Sequence, residues 1–161
     1  MSALPFSPKE RAELYAKQNN LTIEKQIGGG FEGVVLGTSR KTAIKSLNNL
    51  ALYRQERDVY LHLKAKNTSN VKGFQIPQFI ADDDNLWGIE MTLVSPPFVL
   101  DFAGASLLRK TDFEPEIGAE WIEEKKEQFE ADWPRVKEML WALEGVGVFM
   151  NDVHPGNVMC R

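Results

Sequence analysis

Residues 28–45 read Gly28-Gly29-Gly30-Phe31-Glu32-Gly33-Val34-Val35-Leu36-Gly37-Thr38-Ser39-Arg40-Lys41-Thr42-Ala43-Ile44-Lys45, and the residues after Gly33 decide which fold the glycines serve. Glycine at 28, 30 and 33 gives the pattern G-x-G-x-x-G-x-V, in which backbone can come close to a ligand because no Cβ stands in the way. If Gly33 opened a helix, a 3.6-residue apolar period would come next. Instead Val34-Val35-Leu36 is β-branched and apolar, Gly37 to Arg40 is a turn, and Thr42-Ala43-Ile44-Lys45 is a second short strand. The glycines therefore belong to a β-hairpin. The pattern also suits a glycine-rich turn with no ligand, and the surrounding residues bear on that choice.

A lysine ending an apolar strand requires an anion. Past Asn48-Asn49, a helix cap, Leu52, Glu56, Val59 and Leu63 fall on one helical stripe, which offers Glu56 to Lys45. The alternative places Glu56 at the stripe's edge, with its carboxylate in water. Before the glycines, Ser7-Pro8-Lys9-Glu10 reads as a capping box that opens a packing helix to about Gln18. Leu21, Ile23, Lys25 and Ile27 then alternate as a strand.

Residues 67–72 read as an exposed polar loop. Ile76 to Ile80 and Leu86 to Val94 read as strands joined by an acidic turn at Asp82 to Asn85. Asp101 comes after the pair Pro96-Pro97, and alone it suits a solvated turn. Glu114, Glu116, Glu120, Glu123, Glu124, Glu127 and Glu130 surround Trp121, Ile122 and Phe129. They predict an amphipathic helix over about 119–131 with a solvated acidic face. Asp132 is expected to cap a further helix with Pro134 in its first turn, an apolar stripe at Val136, Met139, Leu140 and Leu143, and a stop at Gly145.

The segment Gly147-Val-Phe-Met-Asn-Asp-Val-His-Pro-Gly-Asn-Val-Met159 then sets Asp152 and Asn157 five positions apart in a Pro-Gly loop between apolar runs. By itself this pair also fits an Asx-capped surface turn. In order along the chain stand glycine hairpin, strand lysine, helix glutamate, two strands, a long helix, and the Asp/Asn loop. That order resembles the protein-kinase-like superfamily. The wording Asp152-Val-His-Pro-Gly-Asn157 is similar to the D-x-H-P-G-N of aminoglycoside and choline phosphotransferases and of atypical bacterial kinases.

The resemblance implies an α+β fold, with a five-stranded antiparallel N-lobe sheet carrying one inserted helix over residues 1–95. A hinge exit and an incomplete helical C-lobe would occupy 96–161. It implies ATP-dependent transfer of a γ-phosphoryl group to a hydroxyl of a protein or small molecule, with ATP and Mg²⁺ as cofactors. Gly28, Gly30, Gly33 and Val35 would cover the nucleotide, Lys45 would hold its α- and β-phosphates, and Glu56 would position Lys45. Glu90 and Met91 would begin the adenine-binding hinge, Asp152 would act as base or orienter, and Asn157 would ligate the metal. By the same resemblance Asp101 is a candidate for a ribose hydroxyl. The rival expectation is a catalytically inactive module that binds nucleotide or a partner.

The chain departs from the protein-kinase pattern at Met150-Asn151, where those enzymes carry His-Arg, and at His154, which either donates to the transferring group or packs the loop. It reaches Arg161 before any Asp-Phe-Gly-like segment, so the expectation is a fragment of a longer polypeptide, with apolar faces at Leu140, Leu143 and Phe149 lacking part of their cover. A net charge of −4 and pI near 5.3 offer no field to attract nucleic acid. No run is apolar enough to span a bilayer, and the single cysteine excludes an internal disulfide. Those features, with an N-terminus lacking signal-peptide regions, make the expectation cytoplasmic.

Overall fold

The computed structural model describes residues 6–30, 32–108 and 115–161, with side chains from residue 118 onward in the last segment. Glu114, one of the acids in the predicted amphipathic helix, lies outside the described residues, as does the side chain of Glu116. Helix α1 (Pro8–Gln18) opens on the expected capping box: Glu10 N–H donates to Ser7 Oγ at 3.2 Å and Ser7 N–H to the Glu10 carboxylate at 2.8 Å. Strands β1 (Ile23–Gly30), β2 (Gly33–Thr38) and β3 (Thr42–Leu47) form consecutive antiparallel hairpins. Helix α2 (Leu50–Ala65) comes next, capped by the Asn49 side chain on the N–H groups of Ala51 and Leu52.

Beyond α2 come the short strands β4 (Asn70–Val71) and β5 (Phe74–Gln75), then β6 (Phe79–Asp83), β7 (Gly88–Thr92) and β8 (Val99–Leu100). The main sheet is five-stranded, in the order β1-β2-β3-β7-β6, with α2 inserted after β3. It is the α+β arrangement that the resemblance implied. Every residue of β3 is buried because each of its faces has its own cover. Ala43 and Leu47 join the core that contains Tyr53, Val59 and Leu63 of α2, whereas Ile44 packs with Leu36, Leu86 and α1. Alternation along a strand thus assigns odd positions of β3 to one side and even positions to the other.

Several boundaries differ from the sequence reading. The loop expected at 67–72 contains β4, whose Val71 is buried. Ile76, Pro77 and Gln78 precede β6 rather than forming its start, and Leu86-Trp87 lies in the turn before β7, with Trp87 at φ 49°. A second, four-stranded sheet, β4-β5-β8-β9 with β9 at Val158–Met159, was not anticipated, since two-residue strands carry no readable period. It joins strands from both sides of Ser95.

Helices α3 (Pro115–Phe129) and α4 (Trp133–Gly145) are linked by a 3₁₀ turn over Glu130–Asp132. Asp132 has helical backbone angles and makes no side-chain cap, contrary to expectation, because an N-cap needs an extended backbone and here the chain coils continuously into α4. Gly145 is still helical; the left-handed residue that reverses the chain is Gly147, at φ 89°. Leu143 is fully buried, while Leu140 and Phe149 are half-buried, so this face is covered in part. Among the described residues no helix is long and apolar enough to cross a membrane.

Candidate functional site

The glycine hairpin, the strand lysine and the Asp/Asn loop converge. Gly28, Gly29, Gly30, Gly33, Val35, Lys45, Asp101, Asp152, His154 and Asn157 line one polar cleft of about 440 Å³. A second compartment of about 380 Å³ is lined by Ile27, Ala43, Met91, Leu93, Val99 and Met159, among others, and is mainly apolar. Gly28, Val35, Lys45 and Asp101 line both, so the two compartments adjoin there.

The hairpin is built by pairing Gly30 with Gly33, Gly29 with Val34 and Gly28 with Val35. The glycines have different local reasons. A Cβ on Gly33 would lie 2.2 Å from the Ser46 carbonyl oxygen, so this position requires glycine for β2 to approach β3 at all. A Cβ on Gly30 would meet nothing within 4 Å, leaving that position free to serve the cleft.

Lys45 reaches the cleft floor because it shares the odd face of β3 with Ala43 and Leu47. Its Nζ lies 2.8 Å from both Glu56 carboxylate oxygens and 3.2 Å from Asp101 Oδ1. Glu56 Oε1 takes a hydrogen bond. Oε2, buried at the same distance, is in ion-pair contact only and has no hydrogen-bond partner among the described residues. The edge-of-stripe alternative for Glu56 is excluded, since the residue is 3% exposed. Burial alone would lower the Lys45 pKa, but the two acids reverse this and hold it above its ordinary value. Burial pushes Glu56 up to about 7, against the pull of Lys45 and helped by the repulsion of Asp101.

Asp152 and Asn157 meet as the spacing suggested. Asn157 Nδ2 donates to the Asp152 carbonyl at 3.0 Å and approaches its Oδ2 at 3.4 Å, and Asn157 is buried while Asp152 is exposed. His154 resolves toward a local role. Its Nδ1 accepts the Gly156 N–H at 3.0 Å, which leaves the proton on Nε2, 3.4 Å from Asp152 Oδ2. His154 therefore ties the loop together through the Gly156 N–H, and it also lines the cleft. Asn151 anchors the loop's start through Gly104 O and Ser106 Oγ, each at 3.0 Å.

Glu90 and Met91 separate. Met91 lines the apolar compartment with Thr92, Leu93, Val94 and Ser95, but Glu90 does not. Its carboxylate accepts the Tyr15 hydroxyl at 2.9 Å on the α1 side of the sheet, and its backbone sits opposite Ile44 and Ala81 in the ladders. The Glu90 side chain thus faces away from the cleft, by the alternation that turns Met91 toward it. Sequence reasoning also missed two contacts, that of Asp101, a candidate for a ribose hydroxyl, with Lys45 and that of Lys125 with the Asp152–Asn157 loop. Asp101 is the second acid on Lys45. Lys125 of α3 is 6% exposed and donates to the Val153 carbonyl at 2.5 Å and to Gln128 Oε1 at 2.9 Å. No spacing signal marks either one, because each finds its partner across the fold.

Among the described residues no three His, Cys, Asp or Glu side chains gather to hold a metal ion. The oxygen donors at the loop are the Asp152 carboxylate and the Asn157 amide, a set suited to a hard cation that keeps most of its ligands from elsewhere, as Mg²⁺ does when it arrives on phosphates.

Neither a family model nor a curated protein matches the sequence. Among solved structures, the chain is similar to the streptomycin–ATP–APH(2'')-IIa ternary complex at 16% identity and a TM-score of 0.41, over 87% of this chain and 40% of that one. It is similar also to ADP-bound aminoglycoside phosphotransferase APH(2'')-Ib at 13% identity and a TM-score of 0.43, over 91% of this chain and 41% of that one. The chain spans less than half the length of either structure.

Proposed function

We propose that this chain carries the nucleotide site and phosphoryl-transfer loop of a protein-kinase-like phosphotransferase, which moves the γ-phosphoryl group of ATP to a hydroxyl of a protein or small molecule in the cytoplasm. The observation that carries this reading is the junction of an apolar and a polar compartment at Lys45. A nucleotide has one apolar end and one anionic end, and this cleft offers a fitting wall to each. The base would lie against Val35, Ala43, Met91 and Leu93, and the phosphates under the hairpin at Gly28, Gly30 and Gly33 beside Lys45.

Glu56 would position Lys45. Asp152 would orient the acceptor hydroxyl and take its proton as the hydroxyl oxygen bonds to the γ-phosphorus and the bond to the β-phosphate oxygen breaks, releasing ADP. Asn157, with the phosphates, would hold Mg²⁺, which neutralises phosphate charge. Residues 1–95 would then act as the N-lobe and 96–161 as hinge exit and part of the C-lobe.

A thermal melt of the 161-residue chain titrated with Mg-ATP tests the reading. At ~100 Kd the expected stabilisation is about 2.7 kcal/mol, or roughly 5–10 °C for a domain of this size. Lys45→Met should remove the shift. Asp152→Ala should keep it while abolishing transfer of labelled γ-phosphate. A flat titration of the wild-type chain would sink the proposal and favour a module that works without nucleotide.

A further inference from the structure

Lys125 is a buried cation outside the cleft, and among the described residues no carboxylate lies within ion-pair distance of its Nζ. Its partners are neutral: Val153 O, Gln128 Oε1 and the ring of Trp121, 5.6 Å from Nζ to the centroid. Such a charge costs more to bury than an apolar side chain of the same length. The packing of α3 on α4 does not require it, since Trp121 and Phe129 already meet Trp133 there. What the ammonium supplies, and a methionine would not, is a donor to the Val153 carbonyl.

That carbonyl belongs to the residue after Asp152, and no backbone N–H among the described residues reaches it. The preceding carbonyl, of Asp152 itself, accepts from Asn157 Nδ2 at 3.0 Å. Two successive peptide planes are therefore fixed by side chains, one from within the loop and one from α3. The Asp152 carboxylate has little else to orient it. It is exposed, and Asn157 Nδ2 and His154 Nε2 approach its Oδ2 only to 3.4 Å. Its Cβ backs onto Gly104, where an added Cβ would lie 3.2 Å away. Where the carboxylate points is thus decided by the backbone that carries it.

We propose that Lys125 is a positioning residue for the transfer step: from α3 it holds the Val153 carbonyl and so aims Asp152 at the acceptor oxygen. It touches neither nucleotide nor acceptor, since it lines neither compartment of the cleft. Its effect falls on the reacting geometry, where a displacement of about 1 Å costs on the order of a hundredfold in rate. The inference rests on the phosphoryl-transfer reading of the loop and adds a residue, 27 positions before Asp152, that sets its aim.

Release of labelled phosphate from γ-labelled Mg-ATP by the full chain tests it, with water as the acceptor. The water oxygen bonds to the γ-phosphorus, Asp152 takes its proton, and the bond to the β-phosphate oxygen breaks to release ADP. Lys125→Met should lower kcat roughly 30- to 100-fold and leave KM for ATP within about twofold. Lys125→Arg keeps the charge and a donor, and should recover kcat to within about fivefold of wild type. If a ligand-free melt shows the methionine variant to be unfolded, Lys125→Gln, uncharged and shorter, gives the same comparison. Unchanged kcat in the folded variant, a rise in KM alone, or a loss that arginine does not restore would overturn the positioning role and leave the transfer reading standing. No phosphate release by a wild-type chain that Mg-ATP stabilises would overturn the transfer reading and this proposal together, and keep the nucleotide site.

Discussion

Lys45, Glu56 and Asp101 form a group with one positive and two negative members, of which Lys45 and Glu56 are buried and Asp101 is half-buried. An acid buried to 3% exposure is stable as an anion only against a cation, and Lys45 is shared. The raised Glu56 pKa makes the folded chain bind this proton more tightly than the unfolded chain does. Its stabilising contribution is therefore full below the ordinary value of 4.5 and lost as pH rises through about 7. Urea melts between about pH 5 and about pH 8 should show stability falling with pH in wild type, and Glu56→Gln should remove that part of the slope. A slope identical in both proteins would contradict the account. The Lys45–Glu56 pairing was legible in the sequence because a charge on an apolar stripe demands a partner. The Asp101 contact was not, since 56 residues separate it from Lys45 and nothing in its neighbourhood marks it.

At the scale of elements, strand alternation sorts the chemistry. Odd positions of β3 and β7 turn Lys45 and Met91 toward the cleft, while Glu90 faces α1. Helix α1 is held there by Arg11, whose guanidinium donates to the backbone carbonyls of Phe6, Leu86 at 3.1 Å and Leu47 at 2.5 Å and lies over the Trp87 ring at 5.1 Å. This buried arginine closes the carbonyls at the ends of β3 and the β6–β7 turn. Arg11→Met would keep volume but orphan those acceptors, costing roughly 2–4 kcal/mol in a denaturant melt. A loss below about 0.5 kcal/mol would mean α1 is not fastened this way. The capping box located α1 from sequence alone because it is a local device. That the helix covers the second face of the sheet was not readable, because Arg11 reads as an ordinary charged helix residue.

In the whole molecule, the cleft lies between the main sheet and the segments that carry Asp101 and the Asp152–Asn157 loop, and that loop depends on packing from far along the chain. Lys125 of α3 donates to Val153 O from a buried position, and the Asp101 backbone bonds Asn157. Lys125→Met should leave β3 and β7 protected and raise amide exchange at residues 153–157 about tenfold, read by hydrogen exchange. Equal protection there would show that the loop holds without α3. The sequence by itself determined the glycine hairpin, the inserted helix, the lysine–glutamate pair and the Asp152–Asn157 spacing, because each arises from local periodicity, capping or turn chemistry within a few residues. The tertiary structure decided which acid shares Lys45, which face Glu90 takes, what pins the loop, and that four two-residue strands join the two halves. Those outcomes arise from contacts between distant segments, whose energies depend on burial and geometry that no single stretch of sequence contains.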